Sequence, residues 1–130
     1  MNINKEAVLH LQIVKWLKIQ HPKIIFRTDF SSGVKMSIAQ AVRHKNLQMC
    51  RAYPDLFIAC PMNGKAGLFI ELKTDISEVY KKDMTFKKCP HIAEQAEMIE
   101  RLQELNYAAY FGCGFTHTVK IINDYLKGKI

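Results

Sequence analysis

Apolar positions recur at helical spacing over residues 3–20. Leu9, Ile13, Trp16 and Leu17 form one stripe, and Lys5, Lys15 and Lys18 fall elsewhere. His21-Pro22 closes this helix, because the residue before a proline is driven out of the helical region. Residues 24–27 are β-branched and aromatic and predict a short strand; Ser31-Ser32-Gly33 reads as a loop. A second helix is expected over residues 37–47. Strands follow at 55–60 and 68–73, and the Asn63-Gly64 pair between them signals a hairpin. Residues 74–89 carry mixed charge without a period and predict a long irregular segment, a feature often tied to function. Pro90 suits the first position of a helix reaching about residue 105. A strand at 107–111 follows, with Gly112 and Gly114 as punctuation. Thr116 is the expected cap of a last helix ending near residue 126. The order is helix, strand, helix, strand, strand, helix, strand, helix, which predicts an α/β fold with a mixed sheet.

One strand breaks its own burial pattern. On 68–73, Leu68, Ile70 and Leu72 share one face, while Phe69, Glu71 and Lys73 share the other. Two opposite charges on a strand that otherwise reads as buried are costly unless paired or coordinated, and such conflicts mark sites. Asp55, at the head of the preceding strand, is the acidic candidate to join them. A two-residue Asn63-Gly64 turn with regular pairing would set Asp55 opposite Leu72, on the wrong face for Glu71. A three-residue loop over 63–65 would set it opposite Lys73, and a bulge would change the face equally well. A site shared by Asp55 and Glu71 therefore requires an irregular loop, a bulge, or Asp55 outside the regular ladder. Pro61 supports irregularity there, since it cannot donate to a ladder.

The chain has 130 residues and 48% hydrophobic content, enough for one globular domain over residues 1–130. Runs such as 107–111 are far too short to span a bilayer. Residues 1–6 lack the basic, apolar and small-residue order of a secretion signal. A cytoplasmic protein with no membrane partner is the expectation. Cys50, Cys60, Cys89 and Cys113 are scattered without a Cys-x-x-Cys pair and read as reduced thiols. A zinc site from Cys89, His91, Cys113 and His117 has no usual ligand spacing. The 19 Lys and Arg residues exceed the 12 Asp and Glu by seven, which favours polyanionic partners. Lys35, Arg43, Lys45 and Arg51 precede the Asp55 strand, and Lys81, Lys82, Lys87 and Lys88 follow the Glu71 strand, so both clusters are candidate nucleic-acid contacts. Tyr80 and Phe86 interleave with the second cluster, either to stack on unpaired bases or to form a small apolar cluster under the loop.

Hydrolysis of a phosphodiester needs charge neutralised on the non-bridging oxygens and an activated water, which hard divalent cations held by oxygen ligands supply. Asp55 and Glu71 offer carboxylates, and the Leu72 carbonyl a third oxygen. Lys73, on the Glu71 face, can orient water and offset developing negative charge.

Pro54-Asp55, a spacer, then Glu71-Leu72-Lys73 resembles the PD-(D/E)xK nuclease superfamily. More narrowly, the chain resembles the virus-type replication-repair nuclease family, VRR-NUC. The similarity extends over most of the chain: Glu6 early in the first helix, the Pro-Asp strand, the 70–74 strand, and Gln95 in the following helix. Ala52-Tyr53-Pro54-Asp55 stands where that family commonly has Gly-x-Pro-Asp. The resemblance implies a restriction-endonuclease-like αβββαβ core and a DNA endonuclease using Mg²⁺, with Mn²⁺ as substitute and no organic cofactor. It implies Asp55, Glu71 and the Leu72 carbonyl as metal ligands, with Glu6 contributing directly or through water. Lys73 and Gln95 complete the implied catalytic set. Small phage-type members resemble Holliday junction resolvases, which work as homodimers on branched or flapped DNA, here in a bacterial or phage-infected cytoplasm.

The residues themselves give Gln95 and Glu6 partial support. Gln95 falls in the inward stripe of Ile92, Ile99 and Leu102, where a buried amide needs partners; capping strand carbonyls is the plainer explanation. Glu6 lies one turn before Leu9 and His10, although a first-turn acid is also favoured by the helix dipole. A catalytically silent DNA-binding module and an interaction protein with an incidental basic surface are the competing readings.

Overall fold

The first helix starts where the Asn4 side chain accepts the Ala7 N–H at 3.1 Å, satisfying one of the orphan donors of a helix N-terminus. This computed structural model describes residues 4–29 and 35–130, so the expected Ser31-Ser32-Gly33 loop lies outside the described residues. Helix α1 runs Lys5–Gln20 and buries Leu9, His10, Ile13 and Leu17. Strand β1 is Phe26–Thr28, helix α2 is Ile38–Leu47, and strands β2 and β3 are Leu56–Ile58 and Leu68–Lys73. A single 3₁₀ turn at Ile76–Glu78 leads into helix α3, Pro90–Glu104, then strand β4, Ala108–Cys113, and helix α4, Phe115–Leu126.

The four strands form one mixed sheet in the order β1-β2-β3-β4. β2 runs antiparallel to both β1 and β3, and α3 carries the chain across so that β4 lies parallel to β3. The two-residue period of β3 divides the core between the faces of the sheet. Leu68, Ile70 and Leu72 join Leu56 and Ile58 against Leu9, Ile13 and Leu17 of α1 and Ile121, Ile122 and Tyr125 of α4. Phe69 turns the other way and packs with Ala109 and Phe111 of β4 and with Ile92, Met98, Ile99 and Leu102 of α3. The ring of Phe69 lies 4.5 Å from Phe57, 5.2 Å from Tyr107 and 5.6 Å from Tyr53, centroid to centroid. Helix α2 buries no side chain and is held by its capping box, in which Ser37 and Gln40 bond reciprocally.

Four boundaries depart from the expectation. β1 begins two residues later than the β-branched run, because pairing with β2 starts at Phe26↔Ile58 and leaves Ile25 exposed. β2 spans three residues instead of six, and Cys60 lies beyond it. β4 runs on to Cys113, because parallel pairing to β3 continues through Leu72↔Gly112 and Lys73↔Cys113. A Cβ on Gly112 would sit 2.5 Å from Thr118 Oγ1 and 2.8 Å from Ile70 Cγ2, so the punctuation read at Gly112 is instead close strand-to-helix packing. Thr116 does not cap α4; Gly114 occupies that position with φ +86°, where a side chain would be strained.

The hairpin resolves the question of faces. Met62 and Lys65 exchange both backbone bonds, and Asn63 and Gly64 between them both have positive φ, a two-residue turn. Below this tip, three residues, 59–61, face only two, 66 and 67. The extra residue bulges: the Ala59 N–H keeps to the β1 register, bonding the Ile25 carbonyl at 2.9 Å, while the Ala66 N–H goes to the Asn106 carbonyl at 2.8 Å. Pairing resumes at Ile58↔Leu68 and continues through Leu56↔Ile70. Extended by one position this register brings Asp55 level with Glu71, although Asp55 itself lies outside the regular ladder.

Candidate active site

Asp55 stands just before β2, where the ladder to β3 changes character. Its carbonyl accepts the Asp29 N–H at 2.8 Å, continuing the pairing on the β1 side. Towards β3 its side chain replaces the backbone, and Oδ2 accepts the Leu72 N–H at 2.9 Å. The bond fixes the carboxylate over the strand that carries Glu71 and Lys73. Ala52, in place of the glycine common in the resembling family, buries its methyl beside the Phe69 cluster.

Glu71 lies on the α3 face and is 6% exposed, as is Asp55. Gln95, inward on α3, donates from Nε2 to Glu71 Oε1 at 2.8 Å and approaches His91 Nε2 at 3.1 Å. From the other side of the sheet, α1 brings Glu6 and His10 toward Asp55, with His10 Nε2 4.0 Å from Asp55 Oδ2. Lys73 is half-buried two residues beyond Glu71. A cleft of about 540 Å³ opens over this end of the sheet, lined by Glu6, Asp55, Glu71, Leu72, Lys73 and Gln95 among others. The five side chains expected to carry chemistry thus face one cavity, along with the residue whose carbonyl was the proposed third ligand.

The site buries carboxylates close together. The Glu71 carboxyl is pushed up to about 10, first by burial, then by the charge of Asp55 and the hydrogen bond with it; Lys73 pulls the other way and Glu6 adds a smaller push. Buried beside the charge of Asp55, Glu71 therefore holds its proton near neutral pH unless a compensating positive charge is present. Glu71 Oε2, Gln95 Oε1 and His10 Nε2 are buried and have no hydrogen-bond partner. A hard divalent ion would satisfy both the charge and the orphaned acceptors, so the donor set fits such an ion.

The basic residues are less concentrated. Arg51 lines the cleft, but its guanidinium is bound fork-to-fork by Glu94, with both N–O distances 2.9 Å. Lys35 precedes α2, and Arg43 and Lys45 lie on it, all exposed. Lys81, Lys82, Lys87 and Lys88 are exposed on a small turn closed by the Tyr80↔Phe86 bridge. There Tyr80 and Phe86 stack on each other at 5.2 Å, and Phe86 leans on Phe111 at 6.2 Å, which favours the apolar-cluster reading of this pair. Cys89, His91, Cys113 and His117 do not gather. His117 Nδ1 instead accepts the Cys113 N–H at 2.9 Å.

Among the described residues one group of three metal-ligating side chains assembles: Glu6, His10 and Asp55, with ligand atoms all within 4.8 Å of one another. Sequence reasoning placed His10 on the inward side of α1 without giving it a role. The available signal was the i, i+4 spacing of Glu6 and His10 beside a buried stripe. Asp29, Tyr53 and Glu78 also line the cleft without having been singled out.

No family model matches the sequence, and no curated protein matches it. A solved structure described as a VRR_NUC domain protein matches with a TM-score of 0.63 and 23% identity, covering 98% of this chain and 93% of that one. The likeness shows that the two share a fold: a mixed sheet with flanking helices over nearly the whole length.

Proposed function

We propose that this chain is a divalent-metal-dependent endodeoxyribonuclease of the PD-(D/E)xK type and a VRR-NUC relative. The observation that carries the reading is the pair Asp55 and Glu71, nearly buried side by side, with the Glu71 pKa raised by burial and by Asp55, open to a cleft that also contains Lys73 and Gln95. The fold likeness to a VRR_NUC domain protein supports it. So does the net charge of +7, which suits a polyanionic substrate.

Asp55, Glu71 and the Leu72 carbonyl would hold Mg²⁺ or Mn²⁺, with Glu6 joining directly or through water. Such an ion neutralises the scissile phosphate and lowers the cost of ionising water. The protein's own groups do the positioning. The Leu72 N–H keeps the Asp55 carboxylate aimed, and Gln95 fixes the rotamer of Glu71. Lys73 orients the attacking water and offsets negative charge as the water oxygen bonds to phosphorus and the bond to the leaving sugar oxygen breaks. The exposed lysines around α2 and the 80–88 turn give salt-sensitive contacts to the DNA backbone, and branched, flap or four-way-junction DNA is the preferred substrate.

The test is incubation with Mg²⁺ or Mn²⁺ and a panel of single-stranded, duplex, flap and four-way-junction DNAs. Cleavage should require the metal, stop with chelator and favour a branched substrate. Asp55→Ala, Glu71→Ala and Lys73→Ala should each lower the rate by about 10³-fold while DNA binding persists. Robust metal-dependent cleavage by Lys73→Ala would sink the mechanism. Salt-sensitive binding without any nicking would identify a silent DNA-binding module instead.

A further inference from the structure

We infer that His10 is a direct metal ligand through Nε2, so that the cation of this site is held by a mixed nitrogen and oxygen set that prefers Mn²⁺ over Mg²⁺. The inference rests on the metal-dependent reading above and adds a ligand to it. It starts from a conflict in α1, whose inward face otherwise carries Leu9, Ile13 and Leu17. A histidine on that face is 8% exposed, and its Nε2 has no hydrogen-bond partner. The closest carboxylate oxygen, Asp55 Oδ2, is 4.0 Å away, beyond hydrogen-bond reach, and already accepts the Leu72 N–H. A buried ring nitrogen is normally satisfied, so its orientation toward an acidic pair calls for a partner between them.

Glu6 completes the geometry. It lies one helical turn before His10, and the donor atoms of Glu6, His10 and Asp55 all fall within 4.8 Å of one another. Bonds of about 2.1 Å to one octahedral ion place two ligands roughly 3 Å apart when adjacent and roughly 4 Å when opposite. Contraction by an ångström or so therefore closes the set, within the freedom of the exposed Glu6 side chain. The apolar packing below His10 holds the ring on the sheet, which sets its direction before an ion arrives.

The chemistry of an imidazole in this position differs from that of a fourth carboxylate. Mg²⁺ favours an all-oxygen shell and keeps its waters, whereas an imidazole nitrogen suits more polarisable transition ions. Adding a neutral nitrogen also contributes a ligand without a further negative charge beside Glu71.

The experiment is Mn²⁺ binding to the metal-free protein, read by calorimetry and by pulsed electron paramagnetic resonance. Wild-type protein should show ¹⁴N modulation from a directly bound imidazole, and uniform ¹⁵N-histidine labelling should replace it with the ¹⁵N pattern. His10→Gln should remove the modulation and weaken Mn²⁺ by at least about tenfold, with Mg²⁺ affinity changing much less. His91→Gln, at the histidine that lines the cleft, should keep the modulation. Bound Mn²⁺ that depends on Asp55 and Glu71 but shows no histidine nitrogen overturns this inference and leaves the metal-dependent reading standing. Failure of the wild-type protein to bind Mn²⁺ at all overturns both. The wild-type spectrum decides the matter even if His10→Gln folds poorly.

Discussion

The two ends of the β2–β3 hairpin are built from the same pair of strands and have opposite characters. At the tip, Met62 and Lys65 satisfy each other, and the Asn106 side chain donates to the Gly64 carbonyl at 2.6 Å. At the open end, Asp55 and Glu71 lie face to face, and Glu71 Oε2, Gln95 Oε1 and His10 Nε2 are buried without partners. The tip uses its polar groups to hold the turn, while the open end keeps three buried polar atoms without a protein hydrogen-bond partner. The ends are nonetheless coupled through strand parity. A two-residue tip with regular pairing would rotate Asp55 off the Glu71 face, and the bulge at residues 59–61 restores it. A neutral-looking loop therefore sets the chemistry some 20 Å along the strands, by roughly 3.3 Å per residue.

The largest effect should come from breaking the open end without touching the tip. Inserting one glycine between Asp55 and Leu56 leaves Leu56↔Ile70 and the apolar faces in register. It moves the Asp55 side chain one position outward and turns it to the other face. The Leu72 N–H then loses its acceptor. Metal binding should fall as far as in Asp55→Ala, with cleavage down about 10³-fold and a melting transition still cooperative. Retained Mn²⁺ affinity in a folded insertion variant would mean that the facing of Asp55 and Glu71 is not what makes the site.

A second, smaller effect concerns the proton held at the open end. The folded-state pKa of Glu71 is raised above its ordinary 4.5, toward about 10, by burial and by Asp55. A group bound more tightly to its proton when folded contributes stability that is complete below the unfolded value and is lost as pH rises through the folded one. Metal-free protein should therefore lose stability from about pH 5 upward, by at most about 1.4 kcal/mol per pH unit. Glu71→Gln keeps the hydrogen bonding and removes the titration, so its stability curve should be flatter and should lie above wild type at pH 8. Denaturant melts in chelator across pH 5.5 to 9 give the two slopes, and parallel curves would contradict the raised Glu71 pKa. Saturating Mn²⁺ should flatten the wild-type curve and leave the variant unmoved.

The difference between the ends also explains which parts of the protein were legible in its sequence. Element order and mixed sheet followed from periodicity, because both faces of β3 and the stripes of α1 and α3 are set by apolar burial. Asp55, Glu71, Lys73 and Gln95 stood out because each is a polar residue where that pattern demands an apolar one. His10 was harder to see, since a single histidine in an apolar stripe is ambiguous until its unpartnered nitrogen is located in space. Turn chemistry identified Asn63-Gly64, yet the residue count of the two arms, not the turn, decided the register. Pro61, which cannot donate to a ladder, marked the arm where the extra residue is absorbed. The partner of the diverted Ala66 N–H could not be read locally, because it is the carbonyl of Asn106, distant in sequence. Helix α2 was expected over residues 37–47 and forms at Ile38–Leu47, although it buries nothing and the cleft is lined from elsewhere.

The smallest effect should come from removing the bulge while leaving the register alone. Deleting Pro61, which is exposed and has no N–H to lose, leaves two residues facing two between the tip and Ile58↔Leu68. The hairpin then becomes regular, Leu56 stays opposite Ile70, and Asp55 stays opposite Glu71. Cys60 remains available to accept the Tyr125 hydroxyl, a 2.5 Å bond that ties this arm to α4. Stability should change by less than about 1 kcal/mol, and Mn²⁺ affinity should stay within roughly twofold of wild type. Calorimetry on the deletion variant beside the glycine insertion then separates parity from shape. Loss of metal binding on deletion, in a protein that still melts cooperatively, would assign the bulge itself a part in positioning the site. Retention would show that it is a correction to the count of residues and nothing more.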